Sequence, residues 1–443
     1  MSRTCLNAFL RFGRTTAENP GTESCQGAAR RHSFCLTSGV HAGRTRPGAG
    51  TQCRLSNARS DGARCPCLGG GVRRYIDSVS RLESGLIAVM ARAARRRNRM
   101  KALQVTRNGP PGEVLEVVDV SVPEPGDGEV RVKVGAASLN FNDIDRCRGK
   151  LVSVPTPPPY TLGMDACGVV DAAGRGCEAW LGKRVVAITK MALGGIAEYA
   201  IADGVSVFAA PPDFDDAEAA AFLLPFQTSH LALFRRGRLL AGQTIVVHSA
   251  TSGLGTAGMQ LAKAAGARVI AVAGGAEKTA RCRALGADLV IDHMAEDFVE
   301  VVLAATGDAG ADLIYDLAGG DFAERSWRCT AHGGRYLAVG FADDDNNGMT
   351  GRPLRMACIG NIDIVGVMLA WVTAVDPGMR RFGFNPFGRG VADEIHADLL
   401  RLAAEGKIRP VIGRRVGMHE AGKALDEHEG RRAIGRTVVI VTQ

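Results

Sequence analysis

The chain has 443 residues, 46% hydrophobic and 23% charged, an ordinary globular balance with room for two or three domains. No run approaches the roughly eighteen apolar residues of a membrane-spanning helix, which excludes that class. The net charge of +8 is not a nucleic-acid footprint: residues 1–99 hold 18 Arg, no Lys and 5 acidic residues, and what remains is 36 basic against 41 acidic residues, a net of −5.

Residues 1–99 also differ in kind, being rich in Arg, Gly, Ser and Cys and poor in periodic apolar pattern. Such a segment cannot bury enough surface to offset the entropy of ordering, so a disordered extension is expected. Three origins fit it: a stretch upstream of the true start at Met100, an Arg-rich transit peptide, or an arm that binds polyanions. Six of the twelve cysteines lie in it. The others, Cys147, Cys167, Cys177, Cys282, Cys329 and Cys358, have no paired spacing and read as small hydrophobes in a reducing compartment, cytoplasmic, or mitochondrial if residues 1–99 are a transit peptide. Cys65-Pro-Cys67 is too short for a C-x-x-C and has no second pair, so no metal is expected there.

From Met100 the pattern becomes regular. Residues 101–106 and 114–120 flank the turn NGPPGE as a hairpin, and VRVKVGAASLN follows with period-2 alternation. After NFNDIDRCRGK and a proline-rich loop come ACGVVDAAG, KRVVAIT and GGIAEYAIADGVSVFAAP. Short strands with turns every 8 to 12 residues predict a compact, barrel-like β domain. DAEAAAFLLPFQTSHLALFRR then turns helical, capped by Asp215 or Asp216, with a second helix after Pro225.

The stretch from Thr244 to Lys278 carries the chemistry. Apolar Ile245–His248 predicts a buried strand, Ser249–Gly255 a tight turn, Leu254–Ala262 the start of a helix, and Val269–Val272 a second strand. A β-α-β unit of this kind aims the free N–H groups of a helix N-terminus at an anion, here a pyrophosphate. Aligned on G-x-G-x-x-G, the three small positions are Ala250, Ser252 and Gly255. An NAD site places a carboxylate at the second strand's tip, where this chain has Gly274; Lys278 follows four residues on, which favours a 2′-phosphate and so NADPH. The alternative is a solvated lysine on an ordinary crossover. Downstream, ADLVID, DFVEVVLAATG, ADLIYDLAG, FAERSWRCT, GGRYLAVGF and IDIVGVML alternate strand and helix, giving a doubly wound parallel sheet of about six strands. A helix at ADEIHADLLRLAAEG, strand-like IRPVIG, a short helix and RTVVIVT end the chain.

The segments MKAL, PGDGEVRVKVGAASLNFND, LGMDACGVV, GGIAEYA, VVHSATSGLGTAGMQLAKAAGARVIA, LGADLVID, YDLAGGD, GGRYLAVGF, EGKIRPVIG and RRAIGRTVV span residues 100–443 almost end to end. They resemble the zinc-independent medium-chain dehydrogenase/reductases, most of all the NADPH:quinone oxidoreductases. The resemblance implies an α/β fold, a Rossmann domain beside a β-rich GroES-like substrate domain, laid out as 100–226 substrate domain, 227–370 NADPH-binding domain and 371–443 return to the substrate domain; residues 1–99, the extension, lie outside it. It implies a homodimer paired near Ile362–Met368. It puts Asn140 and Asp143 beside nicotinamide and substrate, Thr228 and the Gly340-Phe341 pair near the nicotinamide ring, Ser252, Gly253 and Leu254 on the pyrophosphate, and Lys278 and His293 by the 2′-phosphate. Arg432 or Arg436 reaches the cofactor from the C-terminal segment. Asn140 and Asp143 also read as plain turn and cap residues. Zinc-dependent relatives place ligands at the positions of Asn140, Met164-Asp165 and Leu224, a set unable to hold tetrahedral zinc. Where many relatives have a proton-donating tyrosine this chain has Leu151, which favours a quinone over an enoyl acceptor, with Tyr160 as a substitute donor or a packing residue. The expected activity is hydride transfer from NADPH to a quinone. The alternatives are an enoyl or enal reductase on the same fold and a nucleic-acid-binding or structural relative.

Overall fold

The computed structural model describes residues 99–150, 156–340, 355–374, 376–381 and 383–442. The Arg-rich extension up to residue 98, Leu151 and Phe341 lie outside them. β1 (Arg99–Val105) and β2 (Leu115–Ser121) pair antiparallel, as the hairpin pattern predicted. β3 (Glu129–Ser138) buries every second residue through Val130, Val132 and Val134, then is buried continuously at Ala136–Ser138 where neighbours cover both faces. After α1 (Phe141–Cys147) come β4 (Asp165–Ala173), β5 (Arg184–Ile188), β6 (Tyr199–Asp203) and β7 (Val207–Ala209).

α2 (Asp216–His230) starts on a reciprocal box in which Asp215 Oδ1 accepts from the Glu218 N–H at 2.7 Å and Glu218 Oε2 from the Asp215 N–H at 3.1 Å. The expected break at Pro225 does not occur; one helix runs through it. Eleven of its fifteen residues are buried, and Ser138 Oγ donates to the Ala220 carbonyl at 2.8 Å in the turn that the proline ring crowds, so packing overrides the local breaker.

Six parallel strands follow: β8 (Thr244–Val247), β9 (Arg268–Ala273), β10 (Leu289–Asp292), β11 (Ala311–Asp316), β12 (Thr330–Ala338) and β13 (Asp363–Gly366). Their order in the sheet is β10-β9-β8-β11-β12-β13, so strand order reverses between β8 and β11, the place where such sheets bind ligands. α3 (Gly253–Ala264) lies on this sheet through Gly258, where a Cβ would come within 2.6 Å of the buried Tyr315 ring. Tyr315 cannot retreat, because it is fully buried with its hydroxyl 2.9 Å from Ser229 Oγ. Gly258→Val is therefore expected to cost about 1–3 kcal/mol by overpacking, read as a lower denaturant midpoint; an unchanged midpoint would contradict the close approach.

The end of the chain completes the first sheet. After α4 (Arg389–Ala404), β14 (Ile412–Gly417) and α5 (Ala421–Glu429), β15 (Arg436–Ile440) enters between β14 and β3, giving the order β14-β15-β3-β4-β5-β7 with β6 also on β3. β3 runs antiparallel to both β4 and β15. The end of β3 and the beginnings of β4 and β15 therefore meet at one edge, which gathers Asn140, Asp165 and Arg436.

Candidate active site

α1 is built inside out. Phe141 is 43% exposed, whereas Asp143, 0% exposed, and Arg146, 4%, face the interior with Ile144 and Cys147. An amphipathic helix buries its apolar residues, so polar groups turned inward mark a site. Asn140 caps the helix, its N–H donating to Asp143 Oδ2 at 2.8 Å, so the cap role and the site role coincide. Its amide nitrogen donates to the Ser138 carbonyl at 3.2 Å and to Asp165 Oδ1 at 3.4 Å, and its Oδ1 accepts from Arg436 Nη1 at 3.0 Å. Arg436 Nη2 lies 3.5 Å from Asp165 Oδ2. Burial, the largest cause, pushes the Asp143 carboxyl up to about 7; the Asn140 N–H opposes the rise, the Asp165 charge adds to it, and Arg146 and Arg436 oppose it. Asp165 is pushed up to about 6 by burial, against the Arg436 charge and hydrogen bonds from Ser138 and Asn140.

The same arginine touches the phosphate-binding turn. A Cβ on Gly253 would come within 2.3 Å of Arg436 Cδ, Ser252 and Gly435 form a β-bridge, and the Gly435 N–H donates to the Thr251 carbonyl at 2.7 Å. Ser252 caps α3, its Oγ accepting from the Gly255 N–H at 3.0 Å. The first-turn N–H groups of Gly253 and Leu254 belong to the set a helix leaves without internal acceptors. Gly255 admits no side chain, since a Cβ would meet the Ser249 carbonyl at 2.4 Å, while Ala250 is fully buried. Thr228 reaches this turn through its neighbour: Ser229 Oγ donates to the Leu254 carbonyl at 3.2 Å. Thr228 Oγ1 itself donates to the Leu224 carbonyl at 2.7 Å. Gly340, just past the end of β12, comes so close to the segment after β11 that a Cβ would meet the Leu317 carbonyl at 2.4 Å.

A second group gathers at the tip of β9. Gly274 leaves the space that a Cβ would contest with His293 Nε2 at 2.8 Å, and the His293 ring lies edge-on to Phe322 at 5.2 Å. The Gly275 N–H donates to Asp292 Oδ1 at 2.9 Å. Lys278 is half-buried, and its Nζ donates to the Arg431 carbonyl at 2.6 Å. Burial, joined by the Arg431 charge, lowers its pKa.

Sequence reasoning named Asn140, Asp143 and the turn residues, which the fold brings together. It left Arg432 and Arg436 as alternatives, and the structure separates them. Arg432 is exposed, its N–H donating to the Glu427 carbonyl at the end of α5, whereas Arg436 is 8% exposed in the network. Gly435, at φ 70° just before β15, leads into Arg436, a signal that lay in the glycine. Asp165 and Arg146 were missed as site residues; their inward charges on apolar strand and helix patterns were the available clue. Tyr160 packs, its hydroxyl donating to the Arg146 carbonyl at 2.8 Å, and burial pushes it up to about 12.

Residues 126–212 match the alcohol dehydrogenase GroES-like domain and residues 253–377 the zinc-binding dehydrogenase domain. Human quinone oxidoreductase is 32% identical over 243 residues, 54% of this chain and 73% of that protein. Among solved structures, an NAD-dependent alcohol dehydrogenase aligns at 32% identity and a TM-score of 0.66, over 77% of this chain and 100% of the other. A mycobacterial protein in complex with NADPH aligns at 26% identity and a TM-score of 0.66, over 77% and 99%. The chain therefore belongs to the medium-chain dehydrogenase/reductase family, as an NAD(P)-dependent oxidoreductase of the quinone-oxidoreductase type.

Proposed function

We propose that the protein reduces quinones with NADPH, without zinc, as a homodimer. The observation that carries this is Arg436, which joins Asn140 and Asp165 on one side to Gly253 of the phosphate-binding turn on the other. The phosphate-binding turn and the Asn140–Asp165 cluster then share one residue, which favours transfer between a cofactor and an acceptor held side by side.

A bound nicotinamide supplies the hydride. The turn Ser252–Leu254 binds its pyrophosphate through helix N–H groups; Lys278, with His293 beside it, takes the 2′-phosphate in the room that Gly274 leaves. Thr228 and Gly340 border the ring, with Phe341 following Gly340 in sequence. Asn140 and Asp143 orient the acceptor, and burial excludes water there. Protons come from solvent.

The family's zinc does not fit this donor set. Asn140, Met164, Asp165 and Leu224 stand at the ligand positions of zinc-dependent relatives, and the Asp165 carboxylate is committed to Arg436 and Asn140. Dialysis against a strong chelator is expected to leave turnover unchanged; stoichiometric zinc by elemental analysis would overturn this. The dimer proposal rests on β13, an edge strand whose surroundings expose Ile359, Ile364 and Met368, and which pairs with β12 alone among the described residues. No helix among the described residues is long and apolar enough to cross a membrane. A panel of quinones, enones and enoyl thioesters tests the acceptor: quinones are expected to give the highest kcat/KM, and turnover of enoyl thioesters in their place would make the protein an enoyl reductase.

A further inference from the structure

Arg146 stands in the site without an assigned task. It is 4% exposed, and its Nη2 donates to the Met191 carbonyl at 3.2 Å. Nε and Nη1 are buried and have no hydrogen-bond partner among the described residues. One turn back on the same helix, Asp143 spends Oδ2 on the Asn140 N–H, while Oδ1 is buried and likewise unpartnered. Residues at i and i+3 share a helix face, so two orphaned donors of a cation and one orphaned acceptor of a carboxyl lie on one buried surface. Buried charges are retained at such cost only where they act on one another or on a ligand.

The Met191 contact explains how the guanidinium is held. Met191 and Ala192 are both non-glycine residues at positive φ, 56° and 54°, in the corner after β5. Thr189, just before them, bonds through Oγ1 to the Gly163 and Met164 carbonyls, the residues that lead into Asp165. The corner is therefore fixed to the site by one end and to Arg146 by the other.

We propose that Arg146 is a positioning residue for Asp143: anchored on the Met191 carbonyl, its guanidinium shares the buried helix face with the carboxyl one turn away and governs when that carboxyl releases its proton. The other groups around Asp143 are accounted for. β4 brings Asp165, β15 brings Arg436, and Cys147 of α1 and Tyr160 are both pushed by burial to about 12, so they are neutral near pH 7. α5, packed on the other side of α1, directs Asp426 and Glu429 toward Gly112 and Arg148. Arg146 and Arg436 are thus the cations acting on Asp143, and Arg436 is shared with Asp165.

The inference rests on the proposed site, but its main test needs neither cofactor nor acceptor. The Asp143 carboxyl is raised from 3.8 to about 7 in the folded chain. Its contribution to stability is therefore full below about pH 4 and is lost as pH rises to about 7. Melting the full chain from pH 4 to 9, Asp143→Asn is expected to gain on the wild type as pH rises and to level off near pH 7. In an Arg146→Gln background that levelling point moves up by about one unit, and in Arg146→Lys it stays near the wild-type value. The pH midpoint of quinone kcat/KM shifts the same way. A lower Tm in Arg146→Gln with the levelling point unmoved would reduce Arg146 to a loop anchor and overturn the proposal. If Arg146→Gln fails to fold, the Asp143→Asn/Arg146→Gln chain decides: it is expected to fold, and failure to do so is equally fatal. Loss of quinone turnover in the wild type would reject the functional proposal and leave the melting comparison readable.

Discussion

Arg436→Met is expected to cost about 3–5 kcal/mol of folding stability, because it strands a buried carboxylate. Asp165 is 1% exposed, and its neighbours after the substitution would be the Asn140 amide and the second raised carboxyl, Asp143. The loss should be largest above about pH 6, where Asp165 is ionised, and shrink in acid as it takes up a proton. Arg436→Lys keeps the charge and should lose less, and pairing Arg436→Met with Asp165→Asn should recover much of the deficit. Urea midpoints at pH 5 and pH 8 check all three. Equal losses at the two pH values, with no recovery in the double variant, would mean that Arg436 serves by packing against Gly253 alone.

Cofactor preference carries the second large effect. A charge-assisted contact from Lys278 to a phosphate contributes on the order of 1.5–3 kcal/mol, and about 1.4 kcal/mol is tenfold. NADPH is therefore expected to be preferred over NADH by about one to two orders of magnitude, mostly in KM, since the 2′-phosphate is remote from the reacting carbon. Lys278 must exchange its bond to the Arg431 carbonyl for the phosphate, which places the preference toward the lower end of that range. Lys278→Ala should shrink it. Gly274→Asp should reverse it, with His293 shifting to admit the new carboxylate. KM values for both cofactors in the three proteins are the measurement; a wild type that uses NADH as well as NADPH would remove Lys278 from the phosphate site.

Much of this was legible in the residues because the signals are local. The strand, small-residue turn and helix at 245–262 obey backbone constraints that a short window contains: Gly255 faces the Ser249 carbonyl, and Ser252 caps the helix it precedes. The alternation of strands and helices downstream likewise announces a doubly wound parallel sheet, though not the order of its strands. What escaped was decided at long range. Pro225 lies in a helix because burial on nearly every side offsets the break. The choice between Arg432 and Arg436 depends on β15 pairing with β3, some three hundred residues away in sequence. Arg146 reads as any helix arginine until the fold turns α1 inside out.

The most direct test of a zinc-free, NADPH-dependent quinone reductase is the rate of quinone-dependent cofactor oxidation by chelator-treated protein, compared for NADPH and NADH at matched subsaturating concentrations. The expected result is turnover undiminished by the chelator and at least about tenfold faster with NADPH. No quinone-dependent oxidation with either cofactor, or activity that returns only when zinc is added back, would contradict it.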